Sequence, residues 1–490
     1  MAFEGLKHES MAEPCDISAA VSPVPGQAGG EFERQPVPAT HWKGWRSFLG
    51  MYAGEHVAGT EFMIGSLFLA AGVSAFDLLV GLLIGNVLAV LSWALVCAPI
   101  ATRARTTLYY QLERICGEWL VTAYNLANGI LFCFLAGAMI TVSATAVGVP
   151  LDLRMPGLSD WLPTGAAWVV TVAAVGAVFS LVAAKGYDAV ARVANLSAPW
   201  MILVFLACGI VSLPRLGVDS LGDFWGVARD RIWPGTDPLP GQSKFTFWHV
   251  VFFAWFCNAA MHMGMADLSI LRYARHWRQG FCSAAGMFVG HYMAWISASM
   301  LYAVQLARAG WDPSKPAPPV APGPMAYDAV GVAGLICVIL AGWTTANPTI
   351  YRAGLAFQAI RPGSSRFAVT LVAGGIATLG AIFPALVMRL LDFVGLYGTI
   401  LMPMGAVVFV DFWLMPRLGM SSYYAEKAGL RINWAAGCAW VLALGVCALL
   451  NWQGGVQVFF LAGPGWLVTG VLYLAFSRWY QRPQPRGQRR

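Results

Sequence analysis

Charge is scarce in this chain. Asp, Glu, Lys and Arg make up only 11% of its 490 residues, against about a quarter in soluble domains. Hydrophobic residues reach 58% and the mean hydropathy is +0.62, which excludes an ordinary soluble fold and points to an integral membrane protein. Closely spaced cysteines are missing as well. The ten that occur stand singly, without a CxxC pair or a nearby histidine cluster. That excludes a zinc module or a disulfide framework and leaves buried free thiols. The first forty residues lack the apolar segment of a cleaved signal and are too polar and Pro-rich to bury a core.

What is abundant is long apolar runs. Stretches of about 20 apolar residues suit a bilayer crossing. Twelve occur, centred near residues 60, 87, 134, 174, 204, 258, 293, 341, 376, 402, 441 and 467. The expected layout is a disordered tail over 1–40, a twelve-helix all-α membrane domain over 41–480, and a basic tail over 481–490. With both termini cytoplasmic, 23 of the 31 Lys and Arg residues fall on inside segments and 8 on outside loops, as the positive-inside rule requires. The net charge of +7 is then a topology signal for a multi-pass protein of the cell membrane. It gives no reason to invoke nucleic acid.

Two spans break the pattern. The first contains MYAGEHVAGTEF, with Glu55, His56 and Glu61 among Gly54, Ala58 and Gly59. An intramembrane carboxylate costs about 2.5–3.5 kcal/mol on insertion scales and each glycine weakens a helix by about 1 kcal/mol, so lipid-facing scaffolding rarely combines them. The sixth span is interrupted in the same way by Asn258, His262, Gly264 and Asp267. Discontinuous helices in positions one and six predict two five-helix repeats, over about 45–215 and 245–415, followed by two extra helices over about 432–478. Broken helices in matching positions place a transport site at the midplane.

Other features allow more than one reading. Thr344 and Thr345 present adjacent hydroxyls, with the Ala341 carbonyl one turn earlier. Such oxygens suit Na⁺, although membrane threonines commonly bond their own i−4 carbonyl. Gly81 and Gly85 form a GxxxG that lets a neighbouring helix approach closely. Three roles are open to Glu55 and Glu61: holding a cationic ligand, carrying a coupling proton, or pairing with Arg or His in the bundle. His56 and His262 read first as interior histidines. Asp267, followed by Arg272, suits a gate or a helix-end ion pair as well as a ligand contact.

At residue level the chain resembles the nucleobase:cation symporter-1 family, the purine and cytosine permease group. The resemblance rests on AGEHVAGTEFMIGSLFLAAGVSAFDLLVGLLIGNVL across the first two spans and on Trp255 followed by Asp267 and RYAR at 272–275. AGWTTANPTIY at 341–351 and PMGAVVFVDFW at 403–413 complete it. It covers about residues 31–480. It implies a leucine-transporter-type fold with a five-plus-five inverted repeat. It also implies import of a nitrogen heterocycle (cytosine, a purine, a hydantoin or allantoin, or a pyrimidine vitamin precursor) with Na⁺ or H⁺ by alternating access.

The implied sodium ligands are the carbonyls of Gly54, Val57 and Ala341 with the hydroxyls of Thr344 and Thr345. The implied substrate contacts are Trp255 stacking on the ring and Phe132 as the aromatic of span three; Ala58, Asn258, Glu55 and Glu61 at the breaks are further candidates, the two carboxylates standing where relatives often have neutral residues. Where relatives commonly carry Asn in span eight this chain has Ile350, so Asn347 is the nearest amide. No organic cofactor is expected, and the expected partners are the heterocycle, the coupling cation and lipid, with the protein acting as a monomer. The alternative within transport is an amine or amino-acid symporter of the same superfamily. A membrane enzyme would need a convergent set of catalytic groups, and the polar residues instead concentrate in spans one, six and eight.

Overall fold

The computed structural model describes residues 32–312 and 317–481. Residues 1–31 of the expected N-terminal tail, and the C-terminal tail beyond residue 481, lie outside the described residues. Residues 32–40 are packed: Val37 is buried, its N–H bonds the Arg105 carbonyl at 3.0 Å, and Arg34 pairs with Glu113.

Regular structure among the described residues is helical apart from two isolated bridges. Nine helical segments are long and apolar enough to cross a membrane, and three shorter apolar helices stand in the remaining positions, 61–70, 247–256 and 366–381. The twelve expected spans therefore each have a helix. The long ones are span two (Ala75–Ala104), three (Glu118–Gly148), four (Ala166–Ala184), five (Tyr187–Arg215), seven (Trp277–Arg308), eight (Val332–Ile360), ten (Val394–Leu414), eleven (Trp434–Trp452) and twelve (Val458–Tyr480).

Span one is two helices, Trp45–His56 and Glu61–Ala70. Between them Val57 leaves helical geometry at φ −93°, ψ 58°. Glu61 falls in the first turn of the second helix, where a carboxylate complements the exposed N–H groups. Span six breaks twice. Phe247–Phe256 gives way at Asn258 (φ −113°, ψ 22°) to the short helix Ala259–His262. After a further interruption the chain resumes at Leu268–Leu271. Met265 in that interruption takes φ +66°, a left-handed conformation rarely adopted by an unbranched apolar residue outside a turn.

The packing repeats itself with partners exchanged. Span two packs on span six and span seven on span one; span three packs on span nine and span eight on span four; span one meets span five as span six meets span ten. Spans three and eight, and four and nine, pair directly. This is a pseudo-two-fold relation between spans one to five and six to ten. Because five is odd, the second repeat must cross the membrane in the opposite sense to the first.

Close approaches hold the two broken spans in place. A Cβ on Gly85 would lie 2.4 Å from the Val251 carbonyl and one on Gly81 would lie 2.9 Å from Val250 Cγ1, so the GxxxG of span two is where span six docks. Span seven reaches the first break in the same way, since a Cβ on Gly290 would meet the His56 carbonyl at 2.6 Å. Beneath the bundle the Arg105 guanidinium donates to the carbonyls of Arg272 (3.0 Å) and Ala274 and lies 3.9 Å from the Trp42 ring centroid. Burial lowers its pKa to about 10, so it stays charged at neutral pH. Asp411, at the end of span ten, accepts from the Tyr423 N–H (3.1 Å) and the Tyr473 hydroxyl (3.2 Å), which ties down the following loop.

Candidate functional site

The last carbonyls of a helix have no intrahelical donor and carry its negative end. In the first helix of span one these belong to the turn around Gly54 and Glu55. Span eight supplies the partners: Thr344 Oγ1 lies 2.7 Å from the Gly54 carbonyl and Thr345 Oγ1 lies 2.8 Å from the Glu55 carbonyl. Each hydroxyl also reaches its own i−4 carbonyl at 3.0 Å, Leu340 for Thr344 and Ala341 for Thr345. The local bonding expected of membrane threonines and the contact with the break thus occur together. Six oxygens meet here: four carbonyls (Gly54, Glu55, Leu340, Ala341) and the two hydroxyls. Where the sequence suggested Val57, the carbonyl meeting Thr345 is that of Glu55; Val57 closes the helix, its N–H bonded to Ala53 at 3.0 Å.

A second cluster lies on the same face of span eight, seven residues after Thr345. Arg352 is fully buried. Its Nη1 is 2.5 Å from Glu55 Oε1 and its Nη2 is 2.7 Å from Asp267 Oδ1. The Tyr52 hydroxyl (2.9 Å) and Trp93 Nε1 (2.7 Å) both donate to Asp267 Oδ2. Spans one, two, six and eight are joined by this one constellation. Glu55 is thus ion-paired within the bundle. The partner of Asp267 is Arg352 rather than Arg272, whose guanidinium donates to the carbonyls of Ser269 (3.0 Å) and Phe32 (2.6 Å).

On the other side of the first break, Glu61 accepts from Trp295 Nε1 and stands 3.9 Å from His291 Nε2. Asn258 approaches the same imidazole nitrogen at 3.3 Å. His56 bonds the Tyr52 carbonyl at 2.8 Å and His262 the Trp255 carbonyl at 3.1 Å. Glu55, His56, Glu61, His262 and Asp267 are all buried.

Trp255 Nε1 donates to Ser92 Oγ at 2.9 Å, and its ring packs against Phe252 and Phe256. It lines a cavity of about 660 Å³ bounded by spans six and twelve and the segment before span twelve, among them Trp248, Met263 and Leu467. No residue of spans one or eight borders that cavity. Phe132 is buried edge-on against Tyr397, with ring centroids 5.1 Å apart. Ala58 is buried within the first break. Asn347 is 1% exposed, yet neither its Oδ1 nor its Nδ2 has a hydrogen-bond partner among the described residues. An orphaned buried amide is costly, and its side-by-side donor and acceptor match the N–H and C=O edge of a heterocycle.

Arg352 and His291 were not anticipated. Arg352 follows a polar stretch and reads as a charge at the membrane exit; only its i+7 register with Thr345 places it inward. His291 is an ionisable residue in the middle of an apolar span, which is itself a signal of function. It and Trp93 both sit in π-helical turns, Ala285–Tyr292 and Trp93–Cys97, a distortion frequent at functional sites.

Solved structures similar to this chain include those of two symporters. Mhp1, a nucleobase-cation-symport-1 family transporter in a closed conformation with bromovinylhydantoin bound, matches 93% of this chain and 97% of its own at 14% identity, with a TM-score of 0.68. A substrate-bound, outward-open Na⁺-coupled sialic acid symporter matches 90% and 91% at 14% identity with a TM-score of 0.65. MhsT in complex with L-phenylalanine matches 88% and 98% at 16% identity with a TM-score of 0.57. The chain has their fold. It is the leucine-transporter-type five-plus-five arrangement with spans one and six broken and two helices added. No family model matches the sequence, and no curated protein does.

Proposed function

We propose that the protein is a cation-coupled symporter that imports a nitrogen heterocycle of the nucleobase or hydantoin type across a cell membrane by alternating access. The observation that carries this reading is the meeting of the Thr344 and Thr345 hydroxyls with the loose carbonyls of span one. Hard oxygens on two separate elements suit Na⁺, and an ion held between them ties the first break to span eight. The orphaned Asn347 amide supports a planar substrate with adjacent N–H and C=O groups. With its carboxylate held by Arg352, Glu55 positions the break rather than meeting substrate. The reading includes cytoplasmic termini and a functional monomer in lipid, without an organic cofactor.

The test is a thermal-shift screen of the purified protein with nucleobases, hydantoins, pyrimidine vitamin precursors, amines and amino acids, each with and without sodium. Stabilisation by a heterocycle that grows with sodium is the expected result. Stabilisation by amines or amino acids alone would overturn the substrate assignment and favour the related amine or amino-acid symporters.

A further inference from the structure

His291 is the least accounted for of the buried ionisable groups. Its ring stacks on Trp295 with centroids 4.1 Å apart, and its Nδ1 has no partner among the described residues. Its Nε2 faces two groups at once, the Asn258 amide at 3.3 Å and Glu61 Oε1 at 3.9 Å. Among the described residues no Lys or Arg pairs with Glu61, whose other oxygen takes only the neutral Trp295 N–H. An ionised carboxylate buried in this way carries uncompensated charge, which is costly unless a cation joins it.

The remaining titratable groups around the pair can be named. From span one, His56 lies with its ring 5.1 Å from that of His291. From span six come Cys257 and His262, whose ring lies 4.6 Å from that of Trp93. Beyond His56 stands the Glu55–Arg352–Asp267 cluster. None of them neutralises Glu61 directly, so the imidazole is the group placed to do so.

We propose that Glu61, His291 and Asn258 form a proton-binding site in which one proton, delivered by hydronium and leaving water behind, adds to His291 Nε2. In the neutral pair the Asn258 N–H donates into the Nε2 lone pair and the ring keeps its single proton on Nδ1. Protonation makes Nε2 a donor. The new N–H turns to Glu61 Oε1 as a charge-assisted hydrogen bond, and the Asn258 amide must present its carbonyl or withdraw. Asn258 is the non-helical residue that opens the break in span six, while Glu61 opens the second helix of span one. Proton binding is therefore felt at both breaks. This site is separate from the sodium-type oxygens of Thr344 and Thr345, and it holds whether or not the symport reading is correct.

The test needs neither substrate nor sodium. The full-length protein, labelled with ¹⁵N-histidine, is reconstituted in liposomes and titrated by solid-state NMR, with the His291 signal assigned from its loss in His291→Gln. His291 should pass from neutral imidazole to imidazolium as the pH is lowered. In Glu61→Gln its midpoint should fall by at least about one pH unit, a tenfold loss of proton affinity, while the signal of His249, whose ring packs against Phe460, stays where it was. Asn258→Asp, which adds a carboxylate beside Nε2, should raise the midpoint and gives a second measurement if Glu61→Gln does not fold. A His291 that remains neutral throughout, or a midpoint indifferent to both substitutions, overturns the proposal.

Discussion

Arg352 of span eight holds Glu55 of the first break through two contacts, at 2.5 and 3.2 Å, and reaches Asp267 with the same guanidinium at 2.7 Å. One planar fork thus fixes the ends of both broken spans to the element that carries the threonine pair.

Breaking that fork should be expensive. Arg352→Leu leaves two buried carboxylates unpaired and is expected to cost about 3–5 kcal/mol, read as a fall in the thermal unfolding midpoint. Arg352→Lys keeps the charge but cannot bridge two carboxylates as a planar fork does, and should recover only part of the loss. Wild-type stability in Arg352→Leu would show that the cluster does not hold the breaks.

Thr344→Ala with Thr345→Ala removes two of the six oxygens that meet there. Stabilisation by sodium in a thermal-shift titration should disappear, while the unfolding midpoint without sodium changes little. Retention of the full sodium response would remove these hydroxyls from the cation site.

Asn347 offers an opposed pair of effects. Asn347→Leu replaces an unpartnered amide with an apolar group of similar size, and should raise stability by about 1–3 kcal/mol while abolishing heterocycle binding. Isothermal titration with the best ligand of the screen gives the second quantity. Intact binding would return Asn347 to the packing.

Trp255 remains a candidate for stacking, and its N–H bond to Ser92 fixes the ring plane. Trp255→Ala should lower affinity by 1–3 kcal/mol, about the worth of a base on an aromatic face, whereas Trp255→Phe should keep much of it. An affinity within about twofold of wild type in the alanine variant would assign Trp255 to the cavity between spans six and twelve alone.

Much of the architecture was legible because membrane insertion constrains sequence strongly. Glycines and carboxylates inside apolar runs marked both breaks, and Gly81 and Gly85 marked a close helix approach whose partner, span six, only the structure names. The partners of the polar groups were not legible. The contact between Glu55 and Arg352 joins residues 297 positions apart, and only the i+7 register with Thr345 distinguishes this buried arginine from one at a helix exit. Asp267 had a plausible neighbour in Arg272, but the chain between them turns so that the guanidinium of Arg272 bonds carbonyls instead. His291 lacked any sequence neighbour to suggest a pair, because its partners Glu61 and Asn258 come from two other spans.

Transport itself is the most direct measurement. Proteoliposomes loaded with unlabelled heterocycle and presented with the radiolabelled compound should show counterflow, and an inward sodium gradient should drive accumulation that Thr344→Ala with Thr345→Ala uncouples. Correctly folded protein that shows no counterflow with any stabilising heterocycle, and no accumulation under a sodium or proton gradient, would contradict the account.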